Sequence, residues 1–577
     1  LRAYSAGAAL AVLFILISLA MPLVVRAMVS GMEQGTLDAN RLWRYFFLLL
    51  GASLAAGVAR YFQRTLMIGA SRRVEYDIRN AYFLQLQRMS AAFFHRWQTG
   101  DLMARATSDI NHVRDFIGPG VMGTVDMVRL PFALGMMLYL STRLTLLSLL
   151  PLPVLTVLVY FFVRFMNRQS KVVQDIYSTL TSRVQENIAG ARVIKAFGVE
   201  DREISAFRRV CLDYMRANIR LVTVTSFAWP LIDLLIGVAV LLVVSQGGRM
   251  VIHGALSLGD LTAFLITMVM LAWPLIQFGW VLTLYQRGAV SMTRVAEILA
   301  ESPDIRDDHR TVSGAEVRGG ALRLDAVSFR YPRPQEMEKS EADDPWTLQD
   351  ITFDLPPGAL LAVVGPTGSG KSTLLGLLAR EYEPQRGQIL IDGRPLPEYP
   401  LRSLWKSMAC VPQDTFIFSE SIRENLRLGR PTADDDELLE ACRIAGFLPD
   451  LLEMPQGLDT LLGERGINLS GGQRQRLAIA RAVACDPRIL LLDDALSSVD
   501  TRTEEDVLRG LRGFMAGRTG VMVSHRISTI RHADLILVLD RGQIVERGRH
   551  DELVALDGLY ARMHRRQLLE ARLEELA

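Results

Sequence analysis

Six apolar runs constrain this chain more than any other feature: near Ala6–Met28, Leu42–Arg60, Val121–Leu140, Leu144–Val163, Val222–Val244 and Leu261–Leu284. Each is long enough to cross a hydrocarbon core, which takes roughly 20 helical residues. No water is available there to satisfy a stray N–H or C=O, so such segments fold as helices that close their own hydrogen bonds. All six lie before about residue 285, and charge is much more frequent after it. That split explains how a chain of 577 residues is 50% hydrophobic and still 22% charged. At roughly 150 residues per domain, the length implies several domains. A net charge of +2 gives no electrostatic reason to expect a nucleic-acid partner. The first run lacks an A-x-A cleavage pattern and reads as a span, not a cleaved signal. Cys211, Cys410, Cys442 and Cys485 show no metal-ligand spacing and read as small core residues in a reducing compartment.

Short gaps with few charges follow the first, third and fifth runs, whereas the gaps 61–120 and 164–221 are long and rich in Arg. The positive-inside rule makes these two loops, and both termini, cytoplasmic. Helical periodicity continues through Arg72–Gln87, with Val74, Ile78, Ala81, Tyr82 and Leu86 at three- and four-residue steps, and again through Asp175–Phe197. A membrane helix carried on by about 15 residues reaches about 22 Å beyond the bilayer. Thr99-Gly100-Asp101-Leu102 breaks the first loop at its middle and suits a short helix at the far tip. Asp126 and Arg129 in the third span, Asp233 in the fifth and Gln277 in the sixth are costly at membrane depth unless paired or wet. They read either as the lining of a translocation cavity or as interfacial groups and a structural ion pair. Trp229-Pro230 and Trp273-Pro274 mark flexing points.

After the spans, short strands alternate with helices from about Leu322, as in an α/β nucleotide-binding domain. Gly365-Pro366-Thr367-Gly368-Ser369-Gly370-Lys371-Ser372-Thr373 matches G-x-x-x-x-G-K-[ST], with the buried strand Leu360–Val364 before it and a helix starting at Leu374. That context supplies the mechanism. Glycines let successive N–H groups converge on phosphates at a helix N-terminus. Lys371 reaches the β- and γ-phosphates, and the Ser372 hydroxyl ligates Mg²⁺. The stretch binds ATP or GTP.

Further motifs, in order and spacing, resemble the nucleotide-binding domain of ATP-binding cassette (ABC) transporters. Six spans followed by one cassette resemble an ABC exporter half-transporter over nearly the whole chain. Phe93–Leu102 resembles that family's first intracellular loop and Glu186–Phe197 its second. The resemblance implies a helical membrane domain over 1–300, a linker over 301–321 and an α/β P-loop ATPase over 322–577, in a bacterial cytoplasmic membrane. It also implies that Tyr331 stacks on adenine and that Gln413, of Val411-Pro412-Gln413-Asp414, senses Mg²⁺ and the attacking water. Leu469-Ser470-Gly471-Gly472-Gln473 is the family's signature, a second glycine-rich turn ahead of a helix that closes on the partner cassette's ATP. Gly463-Glu464-Arg465-Gly466 resembles the exporter X-loop. By the same resemblance Asp493, ending Ile489–Asp493, holds Mg²⁺, Asp500 belongs to the D-loop at the dimer seam and His525 contacts the γ-phosphate.

Two departures stand out. The family's general base is Glu, whereas this chain carries Asp494, whose carboxylate is pulled back by about 1.3 Å; a misplacement near 1 Å is worth on the order of 10²-fold in rate. An intact signature beside a shortened base resembles heterodimeric multidrug exporters related to the TAP peptide transporter, in which one site hydrolyses weakly; a homodimer with a slow base is the alternative. The second departure is Arg333–Trp346, a polar, acidic insertion that reads as a solvated loop. The tail Arg562–Ala577 reads as a surface helix. The reading is an ATP-driven exporter of amphipathic drugs, lipids or peptides, partnered by a second half-transporter. A membrane-tethered ATPase acting on DNA or ribosomes conflicts with the six spans and two matched loops. An ATP-gated regulator or channel stays open.

Overall fold

The structure, a computed structural model, describes residues 2–331 and 346–576. The insertion at 333–346 therefore lies outside the described residues except for Trp346. Trp229, Trp273 and most residues of 152–163 have side chains outside that set, so the two flexing points are not described beyond their prolines, which sit inside long helices. Two compact units emerge, Leu1–Phe83 with Ala104–Leu299, and Leu84–Met103 with Ala300–Ala577.

The first unit is all helix. Its long elements are Arg2–Glu33, Ala39–Arg88, Leu152–Ala189, Glu200–Ile252 and Leu258–Ala300, with a segmented run through Thr99–Leu140. Among the described residues four helices, Arg2–Glu33, Ala39–Arg88, Thr99–Leu140 and Asp233–Ile252, are long and apolar enough to cross a membrane, and Leu258–Leu271 is a shorter apolar stretch. The expected spans Leu144–Val163 and Leu261–Leu284 fall on helices that include undescribed side chains. Leu13, Leu16, Phe46, Phe47, Phe132 and Tyr139 face outward. So much exposed apolar surface is stable only against an apolar solvent. The run through Thr99–Leu140 is irregular: widened π-type turns occupy Arg105–Asp109 and Phe116–Gly120, and a turn at Met127–Val128 interrupts it again. Asp175–Phe197 is helical as expected but breaks at Gly190, and Gly198 at φ 60° ends the Ala191–Phe197 helix in the left-handed conformation that favours glycine. The apolar side chains of Ile188, Val193 and Phe197 at this tip are exposed.

The second unit holds two sheets. β1 (Leu322–Phe329), β2 (Leu348–Leu355), β4 (Arg386–Ile391) and β5 (Arg394–Pro395) form an antiparallel sheet in the order β2-β1-β4-β5. β3 (Leu360–Val364), β6 (Met408–Val411), β7 (Ile489–Asp493), β8 (Thr519–Val523), β9 (Leu535–Asp540) and β10 (Gln543–Gly548) form the other, in the order β10-β9-β3-β8-β7-β6. Only β10 runs antiparallel there. β7 and β8 are buried along their whole length, which is why they read as unbroken apolar runs and not as alternation.

Residues 84–103 belong to this second unit. The Ala91–Arg96 helix buries Ala92 and Phe93, with Ala92 in the core that includes Leu374 and Leu377. Arg96 pairs with Glu301 at 3.1 Å and Asp304 at 3.5 Å. Two expectations are corrected. Thr99–Leu102 does not break the loop but starts the short helix Thr99–Ala104; the chain breaks at Trp97–Gln98, because Thr99 and Asp101 supply good first-turn residues. Cys442 alone of the cysteines is fully buried, and Cys410 is exposed.

Candidate functional site

Parallel pairing assembles the site. Val363 on β3 and Asp493 on β7 both register with Val523 on β8. The loops leaving three adjacent strands therefore emerge at one edge, beyond the carboxyl ends where open α/β sheets bind ligands. They carry Gly365–Gly370, Asp494 and Ser524–His525. β6 sits beside β7, with Val411 against Leu492, so Gln413 leaves at the same edge, exposed.

The Gly365–Gly370 loop needs its glycines for stated reasons. Gly365 has φ 151°, and a Cβ there would stand 2.0 Å from the Leu539 carbonyl oxygen. Gly370 has φ 99°, and its Cβ would meet Leu348 Cδ2 at 2.6 Å. The helix Lys371–Leu378 starts directly behind it, burying Thr373 and presenting its N-terminus to the loop. Lys371 Nζ donates to the carbonyls of Gly365 at 3.0 Å and Pro366 at 2.8 Å, so its ammonium stands over the loop. Burial pulls its pKa below the ordinary lysine value, against the pull of Asp493 and Asp494.

Asp493 is buried, and burial pushes its carboxyl up, reinforced by the neighbouring Asp494; a hydrogen bond from Ser372 and the charge of Lys371 oppose this. A hard dication beside Ser372 Oγ would relieve that desolvated carboxylate, and the donors are all oxygen, so the pair fits Mg²⁺. Among the described residues no group of three or more His, Cys, Asp or Glu gathers into a metal cage. An ion here takes its remaining ligands from phosphate and water, as Mg²⁺ commonly does. Asp494 adopts φ 47°, and its Oδ1 lies 2.7 Å from His525 Nδ1. Carboxylate and imidazole thus form a hydrogen-bonded dyad at the loop's edge, suited to orienting a water.

Tyr331 hydroxyl lies 3.0 Å from Thr373 Oγ1, and its ring is boxed by Phe329 at 5.1 Å and Tyr382 at 5.3 Å. Tyr382 in turn meets His95 Nδ1 at 3.1 Å, which joins the Ala91–Arg96 helix to the aromatic box. Burial pushes the Tyr382 phenol up to about 12.

Leu469–Gln473 are organised by other contacts. Ser470 caps the helix Gly471–Ala484, accepting from Gln473 N while Gln473 reaches back to Ser470 N. Gln473 Nε2 also donates to Asp450 at 2.9 Å. Gly472 packs so closely on the Ser498 carbonyl that a Cβ would lie 3.0 Å from it. This turn is tied to Ser497–Ser498 and stands apart from the Lys371–Asp493 group in its hydrogen bonding. Asp500 caps the helix Thr501–Met515, and the Thr503 N–H holds its carboxyl below the usual range. Arg465, in the expected X-loop, adopts φ 52°, and the Glu464 side chain lies outside the described residues.

Several positioning residues were missed. Gln475, nearly buried, donates to Ser497 Oγ and accepts from Ser498 N, both at 2.9 Å. Arg526 pairs with buried Glu504 and donates to the Val499 carbonyl at 3.3 Å. Gln567 on the C-terminal helix donates to the His525 carbonyl and accepts from Ile527 N at 2.8 Å. Gln475 and Arg526 adjoin motifs read for their neighbours, and that adjacency was the available signal; Gln567 had none.

Residues 5–275 match the ABC transporter transmembrane region and 348–497 the ABC transporter domain. The multidrug resistance-like ATP-binding protein MdlA of Escherichia coli K12 is 37% identical over 576 residues, 100% of this chain and 96% of that protein. An ATP-dependent lipid A-core flippase of Syntrophus aciditrophicus is 33% identical, over 90% of this chain and 85% of its own length. Among solved structures, a bacterial Atm1-family ABC exporter with ATP bound is 26% identical with a TM-score of 0.78, covering 98% of each chain.

Proposed function

From the premise that this chain belongs to the ABC transporter family, as a transmembrane region followed by an ABC ATPase domain, we propose that it is one half of an ATP-driven exporter of amphipathic molecules. It crosses a bacterial inner membrane several times, with the ATPase domain and both termini on the cytoplasmic side. ATP draws two cassettes together, the membrane cavity changes its facing, and hydrolysis resets it. The observation that carries this reading is the edge where Lys371, Ser372, Asp493, Asp494 and His525 converge, in a chain with four long apolar helices among the described residues. The multidrug and lipid names of the relatives support an amphipathic cargo.

Within that scheme the Gly365–Thr373 N–H groups and Lys371 hold the triphosphate, and Tyr331 takes the adenine. Ser372, Asp493 and Gln413 would hold Mg²⁺, which would supply neutralisation of the charge on the phosphates. Asp494 accepts a hydrogen bond from a water, and His525 keeps that carboxylate oriented. The Leu469–Gln473 turn serves the ATP of a second cassette, which makes a dimer part of the reading.

The finer proposal is a heterodimer in which this site hydrolyses slowly, supported by the short Asp494 beside an intact signature. The second reading is a homodimer with Asp494 as a working base, and the 2.7 Å Asp494–His525 contact favours it, since the dyad is assembled despite the shorter side chain. Purification with the native membrane partner separates them. In the asymmetric case Lys371→Ala lowers vanadate-sensitive ATPase activity only partly, while the partner's equivalent change abolishes it. Equal and complete loss from both changes contradicts the asymmetric reading.

A further inference from the structure

In the membrane unit, two guanidiniums and one carboxylate converge on a single ring. Arg60 donates to Asp126 through both terminal nitrogens, at 2.6 and 2.8 Å, and to Gln63 Oε1 at 3.0 Å. Its guanidinium carbon lies 5.1 Å from the Phe14 centroid, and that of Arg129 lies 5.0 Å from the same centroid. The bidentate pair uses both carboxylate oxygens of Asp126, which is itself buried. Arg60 and Asp126 cancel, so Arg129 leaves the cluster with one positive charge in excess. Gln63 is fully buried, and its Nε2 has no hydrogen-bond partner among the described residues. Gln277 packs on Gly123, where a Cβ would meet its Nε2 at 3.0 Å, so a further amide lies one turn from Asp126. The helix is interrupted between Asp126 and Arg129, and tight turn bonds, Val128 N to the Val125 carbonyl at 3.1 Å and Leu130 N to the Met127 carbonyl at 2.9 Å, replace regular ones.

A structural ion pair needs one Arg and one Asp. The second Arg, the unpartnered amide and the broken helix are surplus to it. An ionisable group carried within a spanning segment is costly and marks a functional site by default, and broken spanning helices are where transport folds place ligands. Asp126 is already engaged on both oxygens, so the cluster offers little to a cation. We infer that Arg129, the Gln63 amide and the Phe14 ring form a subsite for the anionic headgroup, carboxylate or phosphate, of a transported amphiphile. This rests on the exporter reading above and names its cargo class.

The test uses the full transporter with its native partner in phosphatidylcholine nanodiscs. Dodecyl phosphate, dodecanoate and dodecyltrimethylammonium share one tail and differ in headgroup. The readout is the half-maximal concentration for modulating vanadate-sensitive ATPase activity. Arg129→Gln is expected to raise that concentration roughly 10- to 100-fold for an anion, the range of a charge-assisted hydrogen bond, and to leave the cation's unchanged. Arg129→Lys is expected to restore most of the loss. The two anions report whether phosphate or carboxylate is preferred. Equal shifts for anion and cation, or no shift, overturn the subsite. Should Arg129→Gln not assemble, the wild type decides: anions acting no more tightly than the cation overturn it. Absence of vanadate-sensitive activity in the wild type refutes the exporter reading instead, so the two failures are distinguishable.

Discussion

Lengthening Asp494 by one methylene is the sharpest perturbation of the nucleotide site. Asp494→Glu advances the carboxylate by about 1.3 Å, and a displacement of that size is worth on the order of 10²-fold, or about 2.7 kcal/mol of barrier. The wild-type carboxylate is held 2.7 Å from His525 Nδ1, so its position is fixed and its shortness is not absorbed by side-chain freedom. The substitution has a separate effect on stability. Asp494 sits at φ 47°, where Asp is tolerated better than most residues, so Glu is expected to cost up to about 1 kcal/mol and lower the melting temperature slightly. The assay is single-turnover phosphate release with the partner's P-loop lysine replaced by alanine, so that this site alone is read, and with Asp494→Asn as the floor. The expected result is a rise of about two orders of magnitude with ATP affinity unchanged. A rise below about threefold would refute the reasoning, since side-chain length would then not limit the step.

Asp493→Asn is expected to raise the melting temperature of the nucleotide-free protein while abolishing Mg²⁺-dependent hydrolysis. The sign follows from burial: the folded-state pKa is raised, so the stability associated with the protonated form is present below the ordinary Asp value and lost as pH rises through the folded value. At neutral pH the charged carboxylate is therefore a liability that asparagine removes, and calorimetry at pH 7 with and without Mg²⁺-ATP checks it. Gln567→Ala removes the two bonds that hold the His525 carbonyl and Ile527 N, worth roughly 1 kcal/mol each. Turnover should fall several-fold with little change in the ATP concentration at half-saturation; a change confined to affinity would contradict a role in positioning His525.

Much of this site was legible because its parts are local. The Gly365–Thr373 loop needs positive φ and close backbone approach, and only glycine meets both, so the motif prints its geometry in the sequence. Asp493 was readable as the end of a buried apolar strand, and Leu469–Gln473 as a glycine turn ahead of a helix. What escaped was carried by tertiary contact. Arg60 was read merely as the end of a span, yet it takes both oxygens of Asp126 from 66 positions away. Gln567 meets His525 across 42 positions and lies in a tail that reads only as charged and helical. His95 touches Tyr382 from a loop 287 positions distant. The break expected at Thr99–Leu102 falls two residues earlier, at Trp97–Gln98, for a local cause: Thr99 and Asp101 favour a first helical turn, and the short helix expected there begins at Thr99. Asp500, read for a place at a dimer seam, also caps its own helix, a contact that the motif did not show.

Export itself is tested most directly by accumulation. Inside-out membrane vesicles carrying this chain with its native partner are given a labelled amphiphile and Mg²⁺-ATP, and the lumenal concentration is followed. A pump raises that concentration above the external one, and vanadate or ATP depletion stops the rise. Equilibration that halts at the external concentration, with ATP hydrolysis continuing, would contradict transport against a gradient and leave a channel or a regulator in its place.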